Sequence, residues 1–419
     1  MSSIAHIVPH MGGGLGAVIK NLILNDTDNT HTILSLNPDD PRAVRTGNIY
    51  LDLKNNYDFL EAMVYLNDIV VMHWFNNVLL YDLLIRNGLP ECRLLVWSHA
   101  SNLFPPYVIP EKLINLCDKF IMTSPVTIQA PEFDELMPEQ KDKTDLIWSV
   151  ADMSEFMNIK KIPHDTFNIG YAGTIDFNSK LHPDFVELCK SVNIPNVKFI
   201  VCSSGPDLEK LKQQVADSGM TDKFFFTGRV ADLSYWFAQM DVFGYPLYEK
   251  HYGTCEQVLG EAMCSGVVPV VLDNPPERCI IKDNVNGRIV SKENYHKAIE
   301  DLHDYKARYD VLSTDARKSA MELYNTKRMV KKWQIKFDQA ILHTEKRKRR
   351  WPFTGAEIFQ ESLGRHGRAF DKNIMDIVEL YRTNRQWKSV SKGSIYHYAE
   401  HYPEDNKLQF WKKIADEMK

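Results

Sequence analysis

Residues Pro246 to Val271 concentrate the residue types that bind sugars and phosphates. A polar loop there carries Glu249, His251, Gly253 and Thr254, and a helix is expected from about Glu256 to Cys264. Ser265-Gly266 would cap that helix, and Val267–Leu272 reads as the buried strand after it. The backbone N–H groups of Gly253 to Glu256, at a helix N-terminus, suit a diphosphate. A carboxylate beside a phosphate is repelled, so Glu256 suits sugar hydroxyls; the alternative is a carboxylate that only answers the helix dipole. Glu261 lies five positions on, about 140° around a helix. It sits in the small and apolar run Leu-Gly-Glu-Ala-Met-Cys, which favours a separate contact such as ribose hydroxyls over a solvated face.

A second constellation opens the chain. Ile7-Val-Pro-His-Met-Gly-Gly-Gly-Leu-Gly-Ala17 lies between an expected strand and a helix from about Leu15. Glycines such as Gly13 and Gly14 let the backbone approach a phosphate or sugar, and the helix adds free N–H groups. The spacing is neither G-x-G-x-x-G nor G-K-[ST], so no dinucleotide fingerprint and no P-loop is met. A tight turn alone is the other reading. His99, after Leu94-Leu-Val-Trp-Ser98, can hydrogen-bond a sugar or shuttle a proton, or be a satisfied buried histidine. His73, after Ile69-Val-Val-Met72, reads as structural. No C-x-x-C pair is present, and no metal is expected.

The elements that must hold these residues follow one pattern. Ile4–Val8, Thr32–Leu36, Ile49–Leu53, Ile69–His73, Arg93–Trp97, Lys119–Thr123 and Asp145–Trp148 read as strands with helical stretches between them. After a linker near Ala151–Pro163 the alternation restarts with strands at Phe167–Ala172, Lys198–Cys202, Phe224–Thr227, Val242–Tyr245 and Val267–Leu272. Alternation of this kind predicts two α/β halves with mostly parallel sheets. Tyr295–Leu342 reads as helical throughout, and the basic run Lys346–Arg350 before Trp351-Pro352 marks a further boundary.

With 419 residues, 44 % hydrophobic and 25 % charged, the chain has the composition of a globular protein of several domains. The net charge of −5 hides an asymmetry: residues 343–419 carry +5 and the remainder −10. The first ten residues lack the pattern of a signal peptide. No apolar run reaches the ~18 residues of a membrane span, and the seven cysteines are scattered. A cytoplasmic protein is expected; its oligomeric state is not legible.

Gly260-Glu-Ala-Met-Cys-Ser-Gly-Val-Val-Pro-Val-Val271 resembles the E-A-M-A-x-G-x-P-V-V signature of family 4 glycosyltransferases. Weaker similarities follow in family order. They are Gly12–Gly16, Trp97-Ser-His99, Gly170-Tyr-Ala-Gly173 with Lys180, Cys202-Ser-Ser-Gly-Pro206, Phe226-Thr-Gly228 and Ile281–Gly287. The resemblance covers roughly residues 1–340. It implies the retaining GT-B architecture: an α/β fold with two Rossmann-like domains facing across a cleft, plus a small C-terminal helical extension. The implied domains are 1–155 for the acceptor, 156–345 for the nucleotide-sugar donor and 351–419 for the extension.

The resemblance also implies residue roles. The donor, a UDP- or GDP-sugar as co-substrate with no cofactor required, would be bound by Gly13, Gly14, Gly173, Lys180, Gly228, Arg229, Gly253, Thr254 and Glu261. His99, Glu256 and Lys180 would be catalytic, and a saccharide or glycan hydroxyl would accept the sugar. Glu261 corresponds to the ribose-binding second member of the family's glutamate pair. The first member falls on Gly253, so Glu249 or Glu256 takes its role. Gly173-Thr-Ile175 stands where many relatives have Gly-Arg, leaving Lys180 and Arg229 to meet the diphosphate.

In the tail, Val390-Ser-Lys-Gly-Ser-Ile-Tyr-His-Tyr398 resembles the recognition helix of tetracycline-repressor-like helix-turn-helix domains. That implies Ser391 as a helix cap and Lys392, Ser394 and Tyr396 as nucleic-acid contacts. By its charge alone the run Lys346–Arg350 reads as a solvated stretch or as a polyanion contact, to nucleic acid or an anionic membrane face. Two alternatives to glycan transfer follow: a DNA-modifying glycosyltransferase acting on a hydroxylated base, and a nucleotide-sugar-binding protein without turnover. A different GT-B enzyme, such as a sugar-nucleotide epimerase, is a third.

Overall fold

The structure is a computed structural model and describes residues 1–38, 47–371, 374–383 and 393–418. The chain divides into two units, Met1–Ala151 with Thr326–Lys419, and Asp152–Asn325. The first contains β1 (Ser3–Val8), β2 (Thr30–Ser35), β3 (Asn48–Tyr50), β4 (Ile69–Trp74), β5 (Leu89–Cys92), β6 (Leu94–Ser98), β7 (Lys119–Met122) and β8 (Thr144–Leu146). Seven of them form a parallel sheet in the order β3-β2-β1-β4-β6-β7-β8. Strands covered on both faces read as unbroken apolar runs, and all six residues of β4 are buried. The helix Gly13–Asn25 packs Ile19 against Val8, Met11 and Ile33. Three imidazoles interrupt this apolar pattern: His6 on β1, His31 on β2 and His73 on β4, all buried.

The second unit repeats the plan. It contains β9 (Phe167–Ala172), β10 (Val197–Cys202), β11 (Phe224–Phe226), β12 (Val242–Tyr245), β13 (Val268–Leu272) and β14 (Arg288–Val290). These form a parallel sheet in the order β11-β10-β9-β12-β13-β14. The helical stretch expected over Tyr295–Leu342 is three helices, Tyr295–Asp304, Lys306–Leu323 and Thr326–His343. The second break coincides with the passage between units. Tyr324 anchors it by donating its hydroxyl to the Cys255 carbonyl at 2.6 Å.

The expected division at 345, with a separate extension from 351, gives way to a different grouping. Helix Thr326–His343 returns to the first unit because its apolar face belongs there. Trp333 packs edge-on to Trp97 at 4.8 Å, and Phe337 lies 6.2 Å from the ring of His31. Next comes β15 (Arg347–Arg349), antiparallel to β5. Trp351 then packs against Tyr81 at 5.5 Å.

The run Lys346–Arg350 is partly built into this sheet. Arg349 is 3 % exposed and gives hydrogen bonds to Asp118 at 2.5 Å, to the Leu116 carbonyl at 2.6 Å and to the Cys92 carbonyl at 3.2 Å. Arg347 takes the other Asp118 oxygen at 2.7 Å, and Lys346 binds the carbonyls of Tyr65 and Asn67. Arg349 is thus engaged inside the fold, Lys346 and Arg347 are bonded at its surface, and Lys348 and Arg350 are exposed.

The tail likewise folds inward. Its helices are Gly355–Ser362, Ile374–Thr383, Ile395–His401 and Asn406–Glu417. Ser394 caps the third by accepting the His397 N–H, and both Ser394 and Tyr396 are buried. The Tyr398 hydroxyl donates to Asn76 at 2.6 Å. Ser394 thus acts as a helix cap, and Tyr396 is 7 % exposed. Val390, Ser391 and Lys392 lie outside the described residues. Among the described residues no helix is long and apolar enough to cross a membrane.

Arg349→Met removes the buried cation from Asp118 and leaves that carboxylate to the half-exposed Arg347 and the Leu94 N–H. Urea unfolding should show a loss of about 3–5 kcal/mol, the cost of breaking a buried pair from one side; a loss below about 1 kcal/mol would place the pair at the surface.

Candidate active site

The second unit presents its polar groups in the loops after β9 and β12. The turn after β9 is built by Asp176, whose side chain accepts the Asn178 N–H at 2.9 Å and the Ser179 hydroxyl at 2.6 Å. Its carbonyl accepts the N–H of Lys180 at 2.9 Å. Gly205 seats this turn: a Cβ there would stand 2.2 Å from the Ile175 carbonyl oxygen, so only glycine fits. Lys180 is thereby aimed at the loop after β12.

There Lys180 meets Glu256, Nζ to Oε2, at 2.6 Å. The Tyr245 hydroxyl donates to the same oxygen at 2.7 Å. Both charged groups are nearly fully buried. Burial alone would raise the Glu256 pKa, but the Lys180 ammonium, and then His251, hold it below the usual carboxylate range. Burial would lower Lys180, and the Glu256 carboxylate outweighs that and holds it above its ordinary value. The pair is charged.

Glu256 reaches this position by unusual backbone geometry. Its φ is 33°, in the left-handed region, directly before the helix Gln257–Cys264. A Cβ built on Gly253 would lie 1.7 Å from Glu256 Oε1. The Glu256 carboxylate therefore fills the space that a side chain at 253 would occupy. Gly253 donates its N–H to His251 Nδ1 at 3.1 Å. With Nδ1 accepting, the His251 proton sits on Nε2. It is given to Glu277, on the short helix Pro275–Arg278 after β13, at 3.2 Å. Sequence reasoning missed Tyr245, Glu277 and Tyr324, whose roles depend on contacts across loops that no local pattern announces.

Glu261 differs from Glu256. It lies on the helix Gln257–Cys264, partly buried, and its carboxylate has no hydrogen-bond or ion-pair partner among the described residues. Burial first, and then the Glu155 charge, push its pKa up to about 7. It is an acceptor waiting for donors.

The other expected residues are placed as follows. Gly173 and Gly228 have φ of 146° and 69°, conformations that favour glycine. Thr254 is buried in the Glu256 loop. Arg229 is exposed and makes no ion pair among the described residues, and no contact joins it to the Lys180–Glu256 pair. Glu249 is exposed, outside the cluster. In the first unit Gly13 and Gly14 are exposed at the start of helix Gly13–Asn25, which has no side-chain cap. His99 follows β6 and bonds its Nε2 to His73 Nδ1 at 3.0 Å. Burial pushes the His99 pKa down to about 3, so the ring is neutral.

His251, Glu256 and Glu277 place donor atoms within 4.8 Å of one another. His251 and Glu277 already bond each other, and Glu256 bonds Lys180 and Tyr245 through its other oxygen, so all three side chains have internal partners.

Residues 152–319 match the family model described as glycosyl transferases group 1. The chain thus carries a glycosyltransferase group 1 domain over most of its second unit. Among solved structures, HepE of Anabaena in complex with UDP-glucose is 13 % identical, with 81 % of this chain and 100 % of that chain covered and a TM-score of 0.64. Sucrose-phosphate synthase of Thermosynechococcus elongatus is 16 % identical, with 82 % and 100 % covered and a TM-score of 0.62. A glycosyltransferase of Rickettsia africae is 14 % identical, with 82 % and 99 % covered and a TM-score of 0.60. These likenesses show the fold, which is GT-B. No curated protein sequence matches the chain.

Two outcomes are expected. Glu256→Gln or Lys180→Met alone should cost about 3–5 kcal/mol in chemical unfolding, and the double variant should cost less than the sum; additive losses would mean the two groups do not interact. Glu261→Gln should stabilise the unliganded protein by about 1–2 kcal/mol at pH 8. The raised folded pKa makes the ionised carboxylate a burden that builds as pH rises from its unfolded value of 4.5 to about 7 and is full above that, so the gain should vanish below the window. A gain that is the same at pH 4 and pH 8 would remove the buried-carboxylate account.

Proposed function

We propose that the protein transfers a sugar from a nucleotide sugar, carried on UDP or GDP, to a hydroxyl of a saccharide or glycan, with retention at the anomeric carbon. The observation that carries the reading is that the match to group 1 glycosyltransferases falls on the unit that holds the Lys180–Glu256 pair and the unpartnered Glu261. Retention follows from the resemblance to family 4.

The roles follow from the chemistry of each group. Glu261 accepts hydrogen bonds from the ribose hydroxyls, which suits a carboxylate with no internal partner. Breaking the bond between the sugar and the diphosphate leaves charge on the phosphate oxygens. Lys180 has two ammonium protons beyond the one given to Glu256, and the exposed Arg229 adds a second cation. Such preplaced charges act where the transition state develops charge. Glu256 takes the position that the family gives to the first glutamate, reaching it from three residues downstream because Gly253 leaves the room. Gly13, Gly14, Gly173, Gly228, Gly253 and Thr254 offer backbone N–H groups or room for the donor. Seven cysteines, all free, fit a reducing compartment such as the cytoplasm.

The DNA-modifying reading has less support, because Arg349 of the basic run is buried against Asp118 and Ser394 and Tyr396 are buried. The reading without turnover remains as an outcome of the test.

The test incubates the full chain with UDP-glucose and GDP-mannose, with and without a panel of saccharides, and follows nucleotide release. Release from one donor, enhanced by an acceptor, is expected. Glu261→Ala should weaken binding of the matching nucleoside diphosphate tenfold or more, about 1.4 kcal/mol. Binding of nucleotide with no release from either donor would favour a protein without turnover, and unchanged affinity in Glu261→Ala would remove Glu261 from the site.

A further inference from the structure

The first unit holds a row of hydrogen-bonded imidazoles that the donor chemistry does not use. Asp26 Oδ2 meets His31 Nε2 at 3.2 Å. His31 Nδ1 meets His6 Nε2 at 2.9 Å, His6 Nδ1 meets His73 Nε2 at 2.9 Å, and His73 Nδ1 meets His99 Nε2 at 3.0 Å. The row crosses the adjacent strands β2, β1 and β4 and ends just beyond β6. Its last ring stands at the C-terminal edge of the sheet, one strand from the reversal of strand order between β1 and β4. Ligands of open parallel sheets bind at that edge, beside such a reversal. We propose that Asp26, His31, His6 and His73 form a one-way proton relay that ends on His99 and takes the proton of the acceptor hydroxyl. This rests on the transfer reading above, in which a hydroxyl loses its proton.

Geometry sets the direction. An ionised carboxylate only accepts. Burial would raise the Asp26 pKa, but hydrogen bonds from His31, Gln334 and Asn29 outweigh it and hold the carboxyl well below its ordinary value. His31 must then place its proton on Nε2, leaving Nδ1 to accept from His6. The same logic passes along the row, so each neutral ring carries its proton on Nε2. His99 ends with an Nδ1 lone pair that has no partner among the described residues.

The step balances. The hydroxyl proton bonds to His99 Nδ1, and the O–H electron pair stays on the attacking oxygen. His99 Nε2–H passes to His73 Nδ1, His73 Nε2–H to His6 Nδ1, and His6 Nε2–H to His31 Nδ1. His31 becomes an imidazolium beside Asp26, and the three other rings remain neutral. Burial alone holds His99 far below the basicity of a useful base, and burial also depresses His6 and His73. The row moves the charge to the one ring with a carboxylate partner. After product leaves, the same path in reverse returns the proton to water.

Histidine-resolved ¹⁵N NMR of the full chain at pH 8 tests this. All four rings should be neutral with the proton on Nε2; a His99 proton on Nδ1 overturns the direction. In His6→Phe, His73 and His99 should show both tautomers while His31 keeps Nε2–H. Release of nucleotide from UDP-glucose, or GDP-mannose if that is the donor, should fall about tenfold to a hundredfold in kcat with KM for the donor unchanged. An unchanged kcat overturns the relay. Should His6→Phe not fold, Asp26→Asn replaces it: the His99 tautomer should become mixed, and a fixed one overturns the proposal. A wild-type chain that turns over neither donor sinks the transfer reading and, with it, the catalytic role of the row, while the tautomer pattern separately decides its direction.

Discussion

A carboxylate that is nearly out of water sets the shape of the second unit's polar loops. Glu256 is tolerable there only because Lys180 and Tyr245 satisfy it, and burying either charge without the other would cost several kcal/mol. The surrounding geometry follows from that need. Gly253 leaves the room, the left-handed turn at Glu256 delivers the side chain into it, and Gly205 lets the turn bearing Lys180 close. Tyr324 holds the backbone of the same turn through the Cys255 carbonyl. Backbone strain of this kind persists where surrounding contacts over-determine it.

The first unit obeys the same rule with neutral groups. Three strands carry a histidine where the pattern calls for an apolar residue, and each ring finds its partner in the next. The helix Thr326–His343 lies over the row: Gln334 bonds Asp26 at 2.9 Å, Phe337 lies near His31, and Trp333 covers Trp97. Polar atoms kept from water in this way must be satisfied in full, which makes the arrangement specific as well as stable.

Much of the fold is legible in the sequence because parallel strands announce themselves as short apolar runs, and nearly every strand of the chain's described residues falls on one. The exceptions are short: β5, β14 and β15. β15 is the run Arg347–Arg349, which looks like a solvated tail until Asp118 is placed beside it. Glu261 stands out as a charge in an apolar helix. Glu256 is harder, since its position depends on a left-handed residue and an absent side chain at 253. His73 reads as structural, and His6 and His31 give no signal, because a histidine inside a strand gives no sign of its partners on neighbouring strands. The grouping of helix Thr326–His343 with the first unit is hidden because an amphipathic pattern shows which face is apolar, not what it covers.

That grouping has a consequence for the nascent chain. The first unit is interrupted, and Trp333, Gln334 and Phe337, which pack on Trp97, Asp26 and His31, come from beyond residue 325. A ribosome adding roughly 5–20 residues per second needs on the order of ten seconds or more to cross residues 152–325. During that interval the first strands wait without these partners while the second unit, continuous in sequence, is free to complete itself. The order of synthesis therefore lets the inserted unit finish first, while the earlier-made half lacks its helix Thr326–His343 until that segment emerges.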